Sequence, residues 1–168
     1  MNSWPKDTPE DLAKYFGKHE LDHEGQPTER WESAFLTTLD VPYPMVLAWE
    51  LETPVRRIRC HQIVRPSLSI ILDAIWKLCG SLEMIKEMRM DRYGGCFNYR
   101  AARGLGRLSV HAWGAAIDLD PDANALGVEW KKNKGMMPME VVEIFEKQGW
   151  QWGGRWKRPD CMHFQATQ

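Results

Sequence analysis

The sequence of 168 residues contains no long hydrophobic segment and no excess of charge of either sign. No apolar run approaches the roughly 20 residues that a membrane-spanning helix needs. A formal net charge of −1 argues against a general nucleic-acid binder. The first residues lack the basic and then apolar regions of a secretory signal peptide, so we expect synthesis in the cytoplasm and no membrane partner.

Cysteine is also scarce, with four residues that are widely spaced and form no Cys-x-x-Cys pair. This distribution is typical of buried thiols in a reducing compartment. Cys161 differs from the others because it lies between Asp160 and His163. A cysteine nucleophile with His163 as its base is therefore an alternative interpretation, although such motifs do not transfer between protein families.

The composition is that of an ordinary globular protein, with 43% hydrophobic and 27% charged residues. The length is enough for one well-buried domain and too short to expect two. We expect residues 1–168 to form a single domain, with residues 1–40 as a helix and polar loop extension packed on it. Short strands mixed with two or three helices, without regular alternation, predict an α+β fold with a small antiparallel sheet.

Capping residues, chain breakers and hydrophobic periodicity predict the individual elements. The expected helices cover residues 8–17, 66–79 and 138–148, with a further turn or two over 81–88, and the expected strands cover 45–49, 55–60, 96–100, 115–120 and 162–165. The first two strands, joined by residues 50–54, are expected to form a hairpin. Residues 18–34 are polar, and His19 and His23 there have a spacing that can bind a metal, but solvated loop histidines are more common.

The chemically distinctive stretch runs from Ser109 to Asp118 and has the pattern Ser-x-His-x-x-Gly-x-Ala-x-Asp. It places the imidazole of His111 seven positions before the carboxylate of Asp118. A second cluster near the C-terminus contains Asp160 and His163. Together the clusters supply His, Asp and His as possible metal ligands and one further acid, which is the usual protein set of a catalytic zinc site.

A turn must bring the first two groups together. Residues 115–120 alternate as a strand, and if that strand continued unbroken, His111 and Asp118 would point to opposite faces. Gly114 can turn the chain between them, because glycine adopts backbone angles that are closed to other residues.

The second cluster leads into a similar short strand, on which His163 and Gln165 share one face. Pro159 restricts the backbone just before Asp160. A turn at this point can bring the Asp160 carboxylate beside a metal without making it a ligand.

The first pattern, followed about 40 residues later by Asp-x-x-His-Phe, resembles the zinc peptidases of the D-alanyl-D-alanine carboxypeptidase (VanY-like) and L-alanyl-D-glutamate endopeptidase group. Within this group the sequence looks most similar to phage endolysins, over residues 4–165. The resemblance implies the α+β fold of hedgehog and DD-peptidase-like zinc peptidases. It also implies one zinc ion per chain, held by His111, Asp118 and His163, and Asp160 as the general base.

Further site residues are predicted around these motifs. The resemblance implies an upstream arginine that binds or polarises the substrate, and Arg100 occupies the matching position, with Arg103 as the second candidate. Ser109 is expected to orient His111 or to bind substrate by a hydrogen bond. Trp113 and Trp152 lie near the motifs and either line the substrate cleft or pack in the core. Gln165 stands where many members of the group carry glutamate.

The resemblance implies hydrolysis of a peptide bond in the peptidoglycan stem peptide, without a nucleic-acid, membrane or obligate protein partner. The first expectation is cleavage between L-alanine and D-glutamate by an endolysin that acts on the cell wall after release. The second is removal of a terminal D-alanine. The alternatives are a non-catalytic wall-binding or virion module that keeps the fold, and a structural zinc site, although structural sites usually fill all four positions with Cys or His.

Overall fold

The computed structural model describes residues 3–104, 106–132 and 134–168. Within these ranges the chain forms an open six-stranded sheet and five α-helices, which confirms the α+β class. The expected small antiparallel sheet with two or three helices is corrected, because the sheet is larger and one strand pair is parallel. The helices are Pro9–Phe16 (α1), Glu29–Phe35 (α2), Arg65–Cys79 (α3), Leu82–Glu87 (α4) and Met139–Lys147 (α5), and the strands are Leu36–Leu47 (β1), Glu50–His61 (β2), Arg92–Gly95 (β3), Ala116–Leu119 (β4), Gln151–Trp152 (β5) and His163–Gln165 (β6).

The strand order across the sheet is β2-β1-β3-β4-β6-β5. β1 and β2 form the predicted hairpin, but both strands are longer than predicted and the turn lies at Ala48 and Trp49 instead of residues 50–54. β3 pairs in parallel with β1, and the remaining neighbours are antiparallel. The predicted strand over 96–100 is wrong, because the strand lies at β3, directly before it.

The helices with clear capping signals are confirmed. Thr8 caps α1 by accepting a hydrogen bond from the backbone N–H of Asp11, and α3 ends at Gly80, whose φ of 71° is favourable for glycine. α2 was not predicted, since it lies in the stretch expected to be a polar loop. Only Trp31 of α2 is fully buried, so its sequence carries little hydrophobic periodicity.

The helices and the N-terminal segment cover the sheet. α3 packs against β1 and α5, and α5 packs against β5. The segment before β1 is fixed by side-chain hydrogen bonds from Trp4 to the Gln148 carbonyl and from Trp113 to the Gly17 carbonyl. Because β1 begins at Leu36, the last residues of the predicted 1–40 extension belong to the sheet itself.

The cysteines agree with the expectation from composition. All four cysteines are buried and free of disulfide bonds within the described residues. In the same residues, no helix combines the length and the apolar character that crossing a bilayer requires.

Gly114 forms the predicted turn between His111 and Asp118. Its φ is 66°, and it ends a short 3₁₀-helix, Val110–Trp113, just before β4. A Cβ atom at this position would lie 2.9 Å from the backbone nitrogen of His61. The turn therefore needs glycine both for its backbone angle and for its contact with the end of β2.

We expect Gly114→Ala to lower the free energy of unfolding by more than about 2 kcal/mol, because it adds a backbone collision to the roughly 1–2 kcal/mol of left-handed strain. Gly135→Ala is the matched control, since Gly135 has the same φ of 66° and a Cβ atom added there would meet no described atom within 4 Å. Gly135→Ala should lower the free energy of unfolding only by the roughly 1–2 kcal/mol that the left-handed backbone costs. Urea unfolding of the two variants measures the difference, and equal losses would contradict the steric role of Gly114.

Candidate metal centre

Three side chains that are distant in sequence meet at one point beside the sheet. His111 Nε2 lies 3.1 Å from Asp118 Oδ1, His163 Nδ1 lies 2.9 Å from the same oxygen, and the two nitrogens are 3.1 Å apart. Both imidazoles are buried, and the Asp118 side chain is only 14% exposed. In the described part of the chain, these residues form a cluster that can hold a metal ion. The structure thus brings the three predicted ligands together, and their binding of zinc stays a prediction.

Short, well-fixed elements position the cluster. Asp118 on β4 pairs directly with His163 on β6, so the two side chains lie on the same face of the sheet. His111 lies on the 3₁₀-helix Val110–Trp113, whose first turn is capped by the Ser109 hydroxyl. β3 runs close to Asp118, and a Cβ atom on Gly94 would lie 2.9 Å from the Asp118 Cβ. Gly94 is therefore needed for the close approach of β3 to Asp118.

The outer nitrogen of each imidazole is occupied by a hydrogen bond. His111 Nδ1 donates to the Cys96 carbonyl at 2.6 Å, and His163 Nε2 donates to the Gln165 side-chain oxygen at 3.0 Å. Both acceptors lack a proton to give, so each imidazole must carry its proton on the outer nitrogen. The inner nitrogens of the neutral rings are therefore unprotonated and present lone pairs to Asp118.

This donor set fits a zinc ion. When both rings are neutral, their inner nitrogens and the carboxylate oxygen, all within 3.1 Å of one another, are three acceptors that repel unless a positive charge lies among them. In tetrahedral zinc sites with bonds of about 2.0–2.2 Å, neighbouring donor atoms lie roughly 3.3 Å apart. The observed triangle is only slightly smaller. Hydrogen bonds from the outer nitrogens to a carbonyl or amide oxygen are also typical of metal-binding histidines.

The electrostatics of the cluster favour a cation. Burial raises the pKa of Asp118, but the charges and hydrogen bonds of His111 and His163 outweigh it and hold this pKa well below its usual range. Burial lowers the pKa of His163, but its hydrogen bond to Asp118 and the charge of that carboxylate raise it overall. The carboxylate therefore stays ionised at neutral pH. Either a second proton on an imidazole or a metal cation can balance its charge.

Asp160 lies beside the cluster but is not one of its three members. Burial raises the pKa of Asp160, and its carboxylate interacts with the charges of all three cluster residues. Its Oδ1 is buried and has no hydrogen-bond partner in the described residues. A Cβ atom on Gly153 would lie 2.6 Å from the Asp160 carbonyl oxygen, so this glycine permits the close packing that fixes Asp160. A half-buried carboxylate with a raised pKa and a buried oxygen that has no hydrogen-bond partner is suited to accept a proton.

The two candidate arginines have different surroundings. Arg100 is half-buried and donates a hydrogen bond to the neighbouring Ala101 carbonyl at 3.3 Å. Arg103 is exposed. Its positive charge acts to lower the pKa of Asp160, against the larger effect of burial, which raises it. Arg103 is therefore better placed to act near Asp160, although Arg100 was the first expectation. The role of either arginine in substrate binding stays a prediction.

The remaining predicted site residues are buried. The Ser109 hydroxyl accepts a hydrogen bond from the His111 backbone N–H, which is the orienting role among its two expected roles. The indole N–H groups of Trp113 and Trp152 donate to backbone carbonyls, and both rings lie in the core. Trp156 is the half-buried tryptophan beside the cluster, with its ring centroid 5.3 Å from that of His163.

The expectation that His19 is a solvated loop residue is wrong. Its Nε2 donates a hydrogen bond to the Ala112 carbonyl at 2.8 Å, in the 3₁₀-helix that carries His111. Its ring packs against Trp31 and Trp113 at centroid distances of 4.2 and 4.8 Å. His23 is exposed, as expected. The contacts of His19 come from residues far along the chain, so its local sequence gives no signal for them.

Comparisons with known proteins point to the same part of the chain. Residues 103–166 match a family model described as D-alanyl-D-alanine carboxypeptidase. The matched segment contains the three cluster residues and Asp160, and it includes Arg103 but not Arg100. No curated protein and no solved structure was found to match the chain. The resemblance of the motifs to D-alanyl-D-alanine carboxypeptidases is thus confirmed for this segment, and the match suggests a peptidase. The similarity to phage endolysins stays a prediction.

We expect His111→Ala and His163→Ala to lose tight zinc binding, because each removes one of the three donors that the described residues bring together. Zinc content after dialysis against a weak chelator, measured by mass spectrometry of the metal, checks this. His23→Ala is an exposed control. His61→Gln is a buried control, since the His61 side chain donates to the Phe16 carbonyl and is not one of the three cluster residues. Both controls should keep about one zinc per chain. Retention of zinc by His163→Ala would contradict the ligand assignment.

Proposed function

We propose that this protein is a zinc peptidase that hydrolyses peptide bonds in the peptidoglycan stem peptide, with the whole chain acting as one catalytic domain. The observation that carries the proposal is the meeting of three potential ligand atoms, from His111, Asp118 and His163, beside Asp160, whose Oδ1 has no hydrogen-bond partner in the described residues. These groups lie in the segment that matches a D-alanyl-D-alanine carboxypeptidase family. In this proposal His111, Asp118 and His163 hold the zinc ion.

The proposed reaction adds water to a peptide carbonyl and releases an acid and an amine. Zinc, when bound, lowers the pKa of water to about 7 and polarises a carbonyl. Asp160 accepts the proton of the attacking water through its free oxygen and passes it to the leaving amine. Its raised pKa makes the first transfer easier, because a more basic carboxylate takes up the proton of water more readily.

The positive charge of Arg103 is proposed to stabilise the oxyanion that develops on the attacked carbonyl, or to bind a carboxylate of the substrate. Its exposure allows it to reach a bound peptide, and its charge acts on Asp160, so the peptide is proposed to lie on the side of the cluster near Asp160. Trp156, half-buried beside His163, is proposed to line the same side.

Two stem-peptide bonds are candidates. The resemblance to phage endolysins implies cleavage between L-alanine and D-glutamate. The description of the matching family favours removal of a terminal D-alanine. The second activity requires recognition of the free carboxylate at the end of the substrate, and an exposed arginine is suited to that task.

We expect Asp160→Asn to reduce turnover by roughly 10²–10⁴-fold, because the amide cannot accept the proton. The zinc content should stay near one per chain, since Asp160 is not a ligand in this proposal. Asp122→Asn is the matched control, because it makes the same substitution at a carboxylate whose side chain is 64% exposed. Full activity of the Asp160 variant would show that another group is the base.

The bond that is cut can be identified by incubating the zinc-loaded protein with purified peptidoglycan and analysing the products by mass spectrometry. New amino termini on D-glutamate would establish the endopeptidase, and free D-alanine would establish the carboxypeptidase. Protein treated with a chelator is the control and should release neither product. A zinc-loaded protein that releases neither product from walls of several species would support the non-catalytic module instead.

A further inference from the structure

A chain of hydrogen bonds connects the metal cluster to the N-terminal segment. Gln165 accepts from His163 Nε2 at 3.0 Å through its side-chain oxygen, and its amide nitrogen donates to Asp7 Oδ2 at 3.1 Å. The same amide nitrogen donates to the Thr167 hydroxyl at 2.7 Å. Gln165 is buried, and Asp7 lies before α1. A residue near the start of the chain thus contacts the group that holds a cluster histidine.

Asp7 determines which way the Gln165 amide points. An ionised carboxylate can only accept hydrogen bonds, so the amide must turn its nitrogen towards Asp7 and its oxygen towards His163. The reverse orientation would bring the amide oxygen against the Asp7 carboxylate and leave two buried acceptors face to face. With this orientation, the single proton of a neutral His163 ring lies on Nε2, and Nδ1 is free to bind a cation.

Asp7 itself is fixed by an ion pair. Arg107 donates two hydrogen bonds to its two carboxylate oxygens, at 2.7 and 2.8 Å, and both side chains are about three-quarters buried. Such two-point pairs between arginine and a carboxylate fix orientation as well as charge. Arg107 lies just before the first motif, so the same pair also connects the N-terminal segment to the stretch that carries His111.

We propose that Asp7 is a positioning residue of the metal centre, which acts through Gln165 to fix the tautomer and ring orientation of His163. This inference rests on the zinc site of the proposed function and assigns a part of that site to the N-terminal segment. It also gives Gln165 a role that a glutamate could not fill here, because a carboxylate at position 165 would lie against the Asp7 carboxylate.

The rest of the N-terminal segment has its own attachments. Trp4 donates to the Gln148 carbonyl, and the Gln168 backbone N–H donates to the Pro5 carbonyl. Removing the Asp7 carboxylate therefore leaves other contacts that hold the segment in place. An effect on zinc binding can then be separated from a general loosening of the segment.

The test compares zinc affinity, by competition with a chromogenic chelator, and the protonation of the His163 ring nitrogens, by ¹⁵N NMR of the metal-free protein. We expect Asp7→Ala and Gln165→Leu to weaken zinc binding by roughly 10–100-fold. Both should also reduce the fraction of His163 with its proton on Nε2. Trp4→Phe, which loosens the same segment elsewhere, and Glu10→Ala, which removes an exposed charge, should leave both measurements unchanged.

A pair of reciprocal substitutions tests the contact directly. Gln165→Glu alone should weaken zinc binding, because it places two carboxylates side by side. Adding Asp7→Asn should restore the affinity to within a few-fold of the original, since an amide at position 7 can donate to the new carboxylate. No restoration in the double variant would overturn the inference.

The outcomes also separate this inference from the proposed function. If the unaltered protein binds no zinc, the metal site itself is wrong. If it binds zinc, and Asp7→Ala binds equally tightly with the same His163 tautomer, only the positioning role of Asp7 is wrong. A fall in thermal stability of Asp7→Ala without either change would also overturn the positioning role.

Discussion

The candidate site depends on where two imidazole protons are held. The Cys96 carbonyl fixes one proton on the outer nitrogen of His111, and the Gln165 amide oxygen fixes the other on the outer nitrogen of His163. Because both outer nitrogens donate, the inner nitrogens of the neutral rings present lone pairs beside the Asp118 carboxylate. The chemistry of the site therefore follows from two acceptors that are not ligands. A side chain with the right identity but the other tautomer would place a hydrogen where a metal must bind.

The sheet fixes the positions of these groups relative to one another. Asp118 and His163 are direct partners on adjacent antiparallel strands, so their separation is set by the strand spacing and not by a flexible loop. His111 comes from a tight turn that Gly114 closes against the end of β2. Three buried hydrogen-bonding groups around one point would be costly in a mobile region, since any displacement leaves an unpaired acceptor. The rigidity of the scaffold and the polarity of the site are thus coupled.

The sequence predicts those parts of the site that depend on local geometry. The turn at Gly114 and the shared face of His163 and Gln165 follow from short-range backbone rules, and both are observed. Helices with caps and a clear apolar face were likewise found. By contrast, the role of Asp7 and the hydrogen bond of His19 to the Ala112 carbonyl depend on contacts with residues more than 90 positions away, for which the local sequence carries no signal. The parallel pairing of β3 with β1 was missed for the same reason.

Two aspartates of the site show how environment divides roles between identical side chains. Burial acts on both, but the two imidazoles against Asp118 outweigh it and lower its pKa, whereas burial prevails at Asp160 and raises its pKa. Opposed shifts of neighbouring carboxyl groups are a mark of an acid–base pair with separate tasks. The carboxylate that stays ionised is suited to hold a cation, and the one that takes up a proton more readily is suited to transfer it. The assignment of Asp118 as ligand and Asp160 as base therefore rests on the surroundings of each group as well as on the order of the motifs.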